Sequence, residues 1–411
     1  MKIKSLLSIA FAVLCVAPAM AQSKTVTTTA AGTLATSLTE EEKGSVKELV
    51  ISGPINKSDF NFINTLTKLE SLDLKGATIA EETIESRTYP ADELPKEAIN
   101  SNKVINKLVL PASITSIGED AICFCDNLVT VDFSACTKLK TIKFQGVYSN
   151  KMIAPIDLSG LTSLEVIEEN GFNATSGSAP ELAINLSGCS SLKELGKYAF
   201  GGKRDIKVTI DFSGCTALTT IGESAFQNVG VENVDLTACT ALETLSKKAF
   251  YCGVASKAKM TTLKLPANLK TIGEQAFDNQ KLTTVSILAV TPPTLATNKP
   301  FYPSAISSAT LTVPKGAKAA YEANEEWKKF GTIVESDGSS VNEFEVAKAV
   351  IWGADNTVYV KNAEAGTVVN VYDLTGAVVA SGVADGDLAL QVAAKGVYIV
   401  KAGKAVAKVR L

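Results

Sequence analysis

The stretch CTALTTIGESAF, Cys215 to Phe226, recurs along the chain with small changes, and this repetition limits the fold more than any other feature. Related phrases end at Ile99, Ile122, Val147, Phe172, Phe200, Phe250 and Phe277; with Phe226 included, successive ends lie 23 to 28 positions apart. A period in that range, with Leu, Ile, Ala and Phe kept and the rest variable, belongs to a solenoid whose coils stack their apolar faces into one continuous core. At 411 residues the chain is too long for one ordinary core, a bound that a coil array escapes because each coil touches only its neighbours.

Each coil from 105 to 290 has two parts. The LxxIxxxAF phrase turns its Leu, Ile, Ala and Phe inward. A strand ending in a turn supplies the rest: VTVDFSAC, APIDLSGL, LAINLSGC, VTIDFSGC and ENVDLTAC. Along such a strand, successive side chains point to opposite faces, so the residues flanking Asp or Asn face the core and Asp or Asn faces out. Upstream, VKELVISG, LESLDLKG and INKLVLPASI offer alternating strands of the same kind. The solenoid is therefore expected over 45–333. The Thr, Ser and Ala-rich segment 22–44 predicts a loose leader, and Ala80 to Lys103 reads as an insertion that keeps only its LPKEAI anchor.

Beyond Leu288 the pattern changes. Pro292 and Pro293 end regular pairing, and Lys315 to Phe330 predicts a short helix that lays Tyr321, Trp327 and Phe330 on the last coil as a lid over core and unpaired edges. A polar linker, 334–344, follows. Over 345–411, short apolar strands separated by turn residues such as Thr375-Gly376 and Gly386-Asp387 predict a small antiparallel sandwich.

The first 21 residues, with Lys2 and Lys4, an apolar run from Leu6 to Val16, and Ala19 and Ala21, read as a secretory signal peptide. No other apolar stretch is long enough for a transmembrane helix. Net charge is −3, or −5 once residues 1–21 are removed, and without a basic block the chain is a poor partner for nucleic acid. Histidine is absent, which removes Ser/His and Cys/His nucleophilic systems, histidine acid/base catalysis and histidine metal sites together. A glycosidase-type carboxylate pair would need a cleft that regular coils do not supply, so no enzyme activity and no cofactor are expected.

Seven cysteines follow residue 21: Cys123, Cys125, Cys136, Cys189, Cys215, Cys239 and Cys252. Cys136, Cys189, Cys215 and Cys239 occupy one place in their coils, and Leu161 takes it in the coil between Cys136 and Cys189. A position that accepts leucine is a buried apolar one, so these cysteines are expected in the core. Adjacent coils stand about 4.8 Å apart with parallel Cβ vectors, a poor geometry for bridging. Cys123 and Cys125 form C-x-C without a second pair at metal-ligand spacing, so no metal site is expected.

One outward column stands out. Asp132, Asp157, Asn185, Asp211 and Asp235 share a strand position and are expected to stack in a ladder about 4.8 Å apart, where like charges repel. A solvated, salt-screened row left by duplication of one coil is the plain reading. These residues are also the candidate ligand face, with Ca²⁺, a basic patch on a partner or nearby lysines as compensation.

The repeated LxxIGxxAF phrase, the LxxVDLSxC strands and the TPP…F…LTVPKGAKAAY…W…F ending resemble the BspA-like leucine-rich repeat proteins secreted by Bacteroidetes. The fold so implied is a leucine-rich repeat solenoid, a right-handed coil stack of short parallel strands with a C-terminal cap, followed by a small all-β immunoglobulin-like sandwich. Val371-Tyr372-Asp373-Leu374-Thr375-Gly376 and Gly396-Val397-Tyr398-Ile399-Val400 are similar to the C-terminal sorting domain of type IX secretion. The resemblance implies a protein secreted or attached to the outer face of the outer membrane, in contact with export machinery. Its expected function is adhesion, with a host extracellular-matrix or bacterial surface protein as ligand on the extended sheet face. The alternative is a structural rod or matrix component. A glycan-binding accessory protein is a third reading, which 6% aromatic residues and the assignment of Trp327 and Trp352 to cap and sandwich do not favour.

Overall fold

In the coil that contains CTALTTIGESAF, Val208, Phe212, Cys215, Leu218, Ile221, Ala225 and Phe226 are all buried. Burying side chains of this size contributes about 1.5–3 kcal/mol each for the larger ones. Three bends close the coil around them. Gly222 follows the two-residue strand Thr220–Ile221, and a Cβ there would sit 2.6 Å from the Leu195 carbonyl oxygen of the preceding coil, so close stacking excludes a side chain. Two left-handed residues four apart, Ser224 (φ 57°) and Asn228 (φ 58°), frame the Ala-Phe segment, as Asp120 (φ 52°) and Phe124 (φ 55°) frame Ala121-Ile122 in an earlier coil. The third bend follows the strand Lys207–Asp211 and is described with the site below.

The computed structural model describes residues 23–150, 155–173, 181–202, 206–253, 258–278, 280–296, 300–301, 306–336, 350–354, 357–373, 377–394, 396–402 and 405–410. The segment expected to be a signal peptide, most of the expected linker 334–344 and residues 374–376 of the sorting-like motif lie outside them. Stacked coils pair in parallel on each side. On one side run sheets of five, three and five strands, beginning with Ser23–Thr27 and ending with Thr332–Glu335. On a second side, nine two-residue strands from Glu93–Leu94 to Thr294–Leu295 form one continuous sheet. The third side is a backbone ladder: the N–H groups of Phe172, Phe200, Phe226 and Phe250 donate to the carbonyls of Ala199, Ala225, Ala249 and Ala276 at 2.7–2.8 Å.

Inside, the phenylalanines of that side stack. Phe172, Phe200, Phe226, Phe250, Phe277 and Phe301 follow one another with ring centroids 5.0–5.6 Å apart and planes within 11° of parallel. The stack ends under the expected lid, where Phe301 meets Trp327 and Phe330 edge-on and Tyr321 meets Trp327. Buried polar tips are satisfied: Tyr321 Oη–H donates to the Ala289 carbonyl at 2.7 Å and Trp327 Nε1–H to the Pro293 carbonyl at 3.0 Å. The lid is two short pieces rather than one helix, an α-helix at Lys318–Glu322 and a 3₁₀ turn at Trp327–Lys329, because the Asn324 side chain accepts from Glu326 and Trp327 N–H and starts a new turn.

Two expectations need correction. The expected leader, 22–44, is not loose over its described residues, 23–44. Ser23–Thr27 pairs in register with Glu48–Ser52, Leu34 and Leu38 are buried, and a capping box of Thr39 and Glu42 starts a helix at Glu40–Ser45. Buried Asp59 ties this coil to the next by accepting from Gly32 N–H (2.7 Å) and Leu34 N–H (3.0 Å), a long-range contact invisible in local composition. Likewise only part of 80–103 is an insertion. Glu82–Ile84 and Arg87–Tyr89 form an antiparallel hairpin, but Glu93–Leu94 joins the nine-stranded sheet and Ile99–Asn100 pairs with Ile122–Cys123, completing an ordinary coil.

The chain divides into two compact units, the second made of 314–318 and 334–411. The strands described from Val350 onward pair antiparallel. Thr357–Tyr372 pairs along one edge first with Val350–Ala354 and then with Val397–Ala402, which in turn pairs with Ala405–Arg410, and along its other edge with Val378–Gln391. Register shifts between Val360 and Ala363 and between Ala363 and Thr367, opposite Gly386 (φ 89°), fold this long ladder over itself. A Cβ at Gly382 would lie 3.0 Å from Leu390 Cδ2 and 3.1 Å from Leu388 Cδ2, so residues of one strand face each other across two layers. Val358, Val360, Val369, Val371, Ala384, Tyr398 and Val400 fill the space between.

Candidate functional site

The candidate column lies at the end of the strands on the first side. Each of its members makes the same bond: Oδ1 of Asp132, Asp157, Asn185, Asp211 and Asp235 accepts the backbone N–H two residues on, from Ser134, Ser159, Ser187, Ser213 and Thr237, at 2.8–3.0 Å. This is the turn that Asx side chains stabilise by standing in for a backbone carbonyl. It swings the chain inward so that Cys136, Leu161, Cys189, Cys215 and Cys239 enter the core four residues after the column. The required feature is an acceptor oxygen, and Asn185 supplies it as well as aspartate does.

Asp157, Asn185 and Asp211 stand in register, so an uncharged residue separates two carboxylates. The column is not the single ladder expected. Asp132 belongs to the first five-stranded sheet, the central three to the next, and Asp235 to the last; among the described residues a Val208–Val231 bridge links the last two sheets. Asp73 was missed in sequence: it pairs through Val109 with the Asp132 position and its Oδ1 accepts Lys75 N–H at 2.8 Å. The Asp in LESLDLKG was the available signal. At the far end Asp235 stands opposite Lys264, whose Nζ lies 3.0 Å away. Burial pushes the Asp235 carboxyl up, but the Thr237 and Lys264 hydrogen bonds outweigh it and hold the group below its ordinary value.

Charges on the other sides are arranged differently. Lys193 bonds Glu165 and Lys270 bonds Glu243, each at 2.6 Å, while Lys247 bonds Glu274 at 2.7 Å and Lys96 bonds Glu119 at 2.9 Å, every pair joining neighbouring coils. The Lys193 hydrogen bond holds Glu165 below the usual carboxylate range, as the Lys96 hydrogen bond does Glu119. Asp132, Asp157 and Asp211 form no ion pair among the described residues.

Cys123, Cys125, Cys136, Cys189, Cys215 and Cys239 are free, buried thiols, and Cys252 is buried as well. Cys189 Sγ–H donates to the Leu158 carbonyl (3.1 Å) and Cys215 Sγ–H to Leu186 (3.2 Å), each in the coil before, so the thiol serves as a small hydrophobe with one satisfied donor. Among the described residues no group of three or more His, Cys, Asp or Glu is placed to hold a metal ion. No helix among them is long and apolar enough to cross a membrane.

Parallel strands stacked coil on coil around LxxIxxxAF define a leucine-rich repeat solenoid. The family model for the BspA type leucine rich repeat region matches residues 92–185 and 182–305 in six copies, and the chain belongs to that family. Solved structures that are similar include a leucine-rich repeat protein from Bacteroides ovatus, at 16% identity over 62% of this chain and 67% of that one with a TM-score of 0.34. The pneumococcal vaccine antigen PcpA aligns at 15% identity over 70% and 80% with a TM-score of 0.30. A leucine rich cell surface protein from Faecalibacterium prausnitzii does so at 13% identity over 70% and 80% with a TM-score of 0.19. No curated protein matches the chain.

Proposed function

We propose that this is an extracellular binding protein, an adhesin that holds a protein ligand against the strand side of its solenoid through the carboxylates of Asp132, Asp157, Asp211 and Asp235. One observation carries the reading: the turn needs an acceptor, which Asn185 provides without charge, yet the other positions keep a carboxylate that the turn does not require. Lys264 of the next coil pairs with Asp235, and elsewhere on the array carboxylates are likewise neutralised by lysines of a neighbouring coil, whereas Asp132, Asp157 and Asp211 form no ion pair among the described residues. A row of surplus negative charge on an extended face suits a basic protein surface rather than a small molecule. The signal peptide and the sorting-like motifs of the last unit support display at the outer face of the outer membrane.

The test is a pull-down from extracellular-matrix and bacterial surface extracts with the chain 22–411, repeated with Asp→Asn at 132, 157, 211 and 235. The quadruple change keeps every turn acceptor, so the array stays folded. Saturable, salt-sensitive capture of a protein that the variant loses supports the adhesin and its face. Capture that the variant retains removes the face, and no capture by either chain favours the structural rod.

A further inference from the structure

Repetition makes each coil a control for the others, and the third side departs from its pattern at one place. Among the described residues, eight coils carry a left-handed residue where this side begins, from Glu97 (φ 54°) to Gln275 (φ 56°). The residue before it is charged in seven of them, Lys96, Glu119, Glu169 and Lys197 included, and is Phe144 in the eighth. A second left-handed position, at the far end of this side, holds Ser101, Ser149 and Asn228 in other coils but Phe124 (φ 55°) in the coil before Phe144. Neither ring serves the core. Phe124 is 45% exposed and Phe144 37%, whereas the phenylalanines of the stack are buried. A bulky side chain in the left-handed region also costs stability that serine or asparagine at the same position largely keeps.

The two departures share a third aromatic. The N–H groups of Asp120, Ile122 and Phe124 donate to the carbonyls of Phe144, Gly146 and Tyr148 at 2.9–3.2 Å, so the two segments lie side by side. The Phe124 and Tyr148 rings stand edge to face with centroids 5.5 Å apart. The rim is polar without a net charge: Lys103 Nζ donates to the Phe124 carbonyl (2.9 Å) and to the Asp126 carboxylate (2.7 Å), and Ser149 follows Tyr148. We infer that Phe124, Tyr148 and Phe144 form a binding site for a neutral glycan, which lays the apolar C–H faces of one or two pyranose rings on the aromatic side chains and turns hydroxyls toward the Lys103–Asp126 pair and Ser149. Aromatic faces carry the partial negative charge that C–H groups seek. Sugar hydroxyls both donate and accept, so an ion pair can serve them without a charge on the ligand. Apolar contact with a few polar groups that fix orientation is the usual make-up of a small-ligand site. A protein ligand fits worse. It would need about 800 Å² of surface, and the column of Phe144 turns charged within one coil on either side, with Glu119, bound to Lys96 at 2.9 Å, before it and Glu169 after it. The site lies on a different side of the coils from the carboxylate column and does not depend on it.

Saturation-transfer-difference NMR of the chain 22–411 tests this with tetrasaccharides of β-linked glucose, xylose and mannose, and with a heparin tetrasaccharide as the acidic comparison. At least one neutral tetrasaccharide is expected to bind, with saturation strongest on the C–H protons of one ring face, and the heparin fragment is not. Phe124→Ser and Phe144→Glu each install what other coils carry at that position, so both variants should fold. Each is expected to weaken binding by about tenfold or more, while Phe124→Ser leaves the thermal midpoint unchanged or raises it. Asp→Asn at 132, 157, 211 and 235 should leave glycan binding unchanged, which separates this site from the carboxylate face. Binding of none of the neutral probes, tighter binding of the heparin fragment, or binding that survives both phenylalanine variants overturns the inference. So does capture of a protein, but of no glycan, that these variants lose, which gives the aromatic patch to a protein interface.

Discussion

Replacing Asn185 by Asp asks whether the strand-side column is held as acceptors or as charges. Asn185 pairs in register with Asp157 on one side and Asp211 on the other, so a carboxylate at 185 would stand about 4.8 Å from both. Each contact costs about 0.9 kcal/mol in unscreened water, or about 1.7 kcal/mol for the two. Salt shortens the reach of these repulsions from about 10 Å at 0.1 M to about 3 Å at 1 M. The expected result is a loss of about 1–2 kcal/mol for Asn185→Asp at low ionic strength that largely disappears at about 1 M salt. The companion changes follow from geometry. Asp211→Asn keeps the acceptor that takes Ser213 N–H at 2.8 Å and should stay within about 0.5 kcal/mol of wild type, whereas Asp211→Ala deletes it and should lose about 0.5–1.5 kcal/mol. Urea unfolding at two salt concentrations measures all three. If Asp211→Asn costs as much as Asp211→Ala, or Asn185→Asp stabilises the chain at low salt, the acceptor argument is wrong and the charge itself is structural.

Phe226 has stacked rings on both sides, Phe200 at 5.4 Å and Phe250 at 5.0 Å, and Phe212 edge-on at 5.8 Å. Phe226→Ala should cost about 3–5 kcal/mol and split the unfolding of the array into two transitions by calorimetry, because coupling between coils is broken mid-stack. Burial pushes the thiols of Cys136, Cys189 and Cys239 up to about 12, so the folded chain keeps protons that the unfolded chain releases above about pH 8.5. Their contribution is complete below that pH and is lost as pH rises toward about 12, by up to roughly 1.4 kcal/mol per pH unit per thiol, and a urea midpoint that does not fall between about pH 8 and 10.5 would contradict it. Gln275 sits at φ 56° and its Nε2–H donates to Asp278 at 3.0 Å; Gln275→Val and Gln275→Gly both lose that bond, so the backbone effect is read from their difference, with Gln275→Val expected about 1–2 kcal/mol less stable than Gln275→Gly in thermal melts.

The stacked-coil architecture was written in the recurrence of Leu, Ile, Ala and Phe, since side chains repeated at one period can be buried together only by stacking. The fate of the cysteines was legible too, because Leu161 stands where Cys136 and Cys189 stand and the same core receives all three. Local composition misread the segment 22–44, whose order over 23–44 comes from pairing with Glu48–Ser52 and from Asp59, more than twenty residues away. The column of Asp132, Asp157, Asn185, Asp211 and Asp235 was visible, but its role was not. Whether a carboxylate faces a ligand or caps its own turn depends on the backbone placing an N–H two residues on within 3.0 Å, and that follows from the fold of the coil. Which lysine neutralises which glutamate was equally hidden, since Lys193 and Glu165 lie 28 positions apart and meet only through coil register. Periodicity in one dimension decides what must be buried; the stacking of coils in three decides which polar groups find partners and which remain for something else to bind.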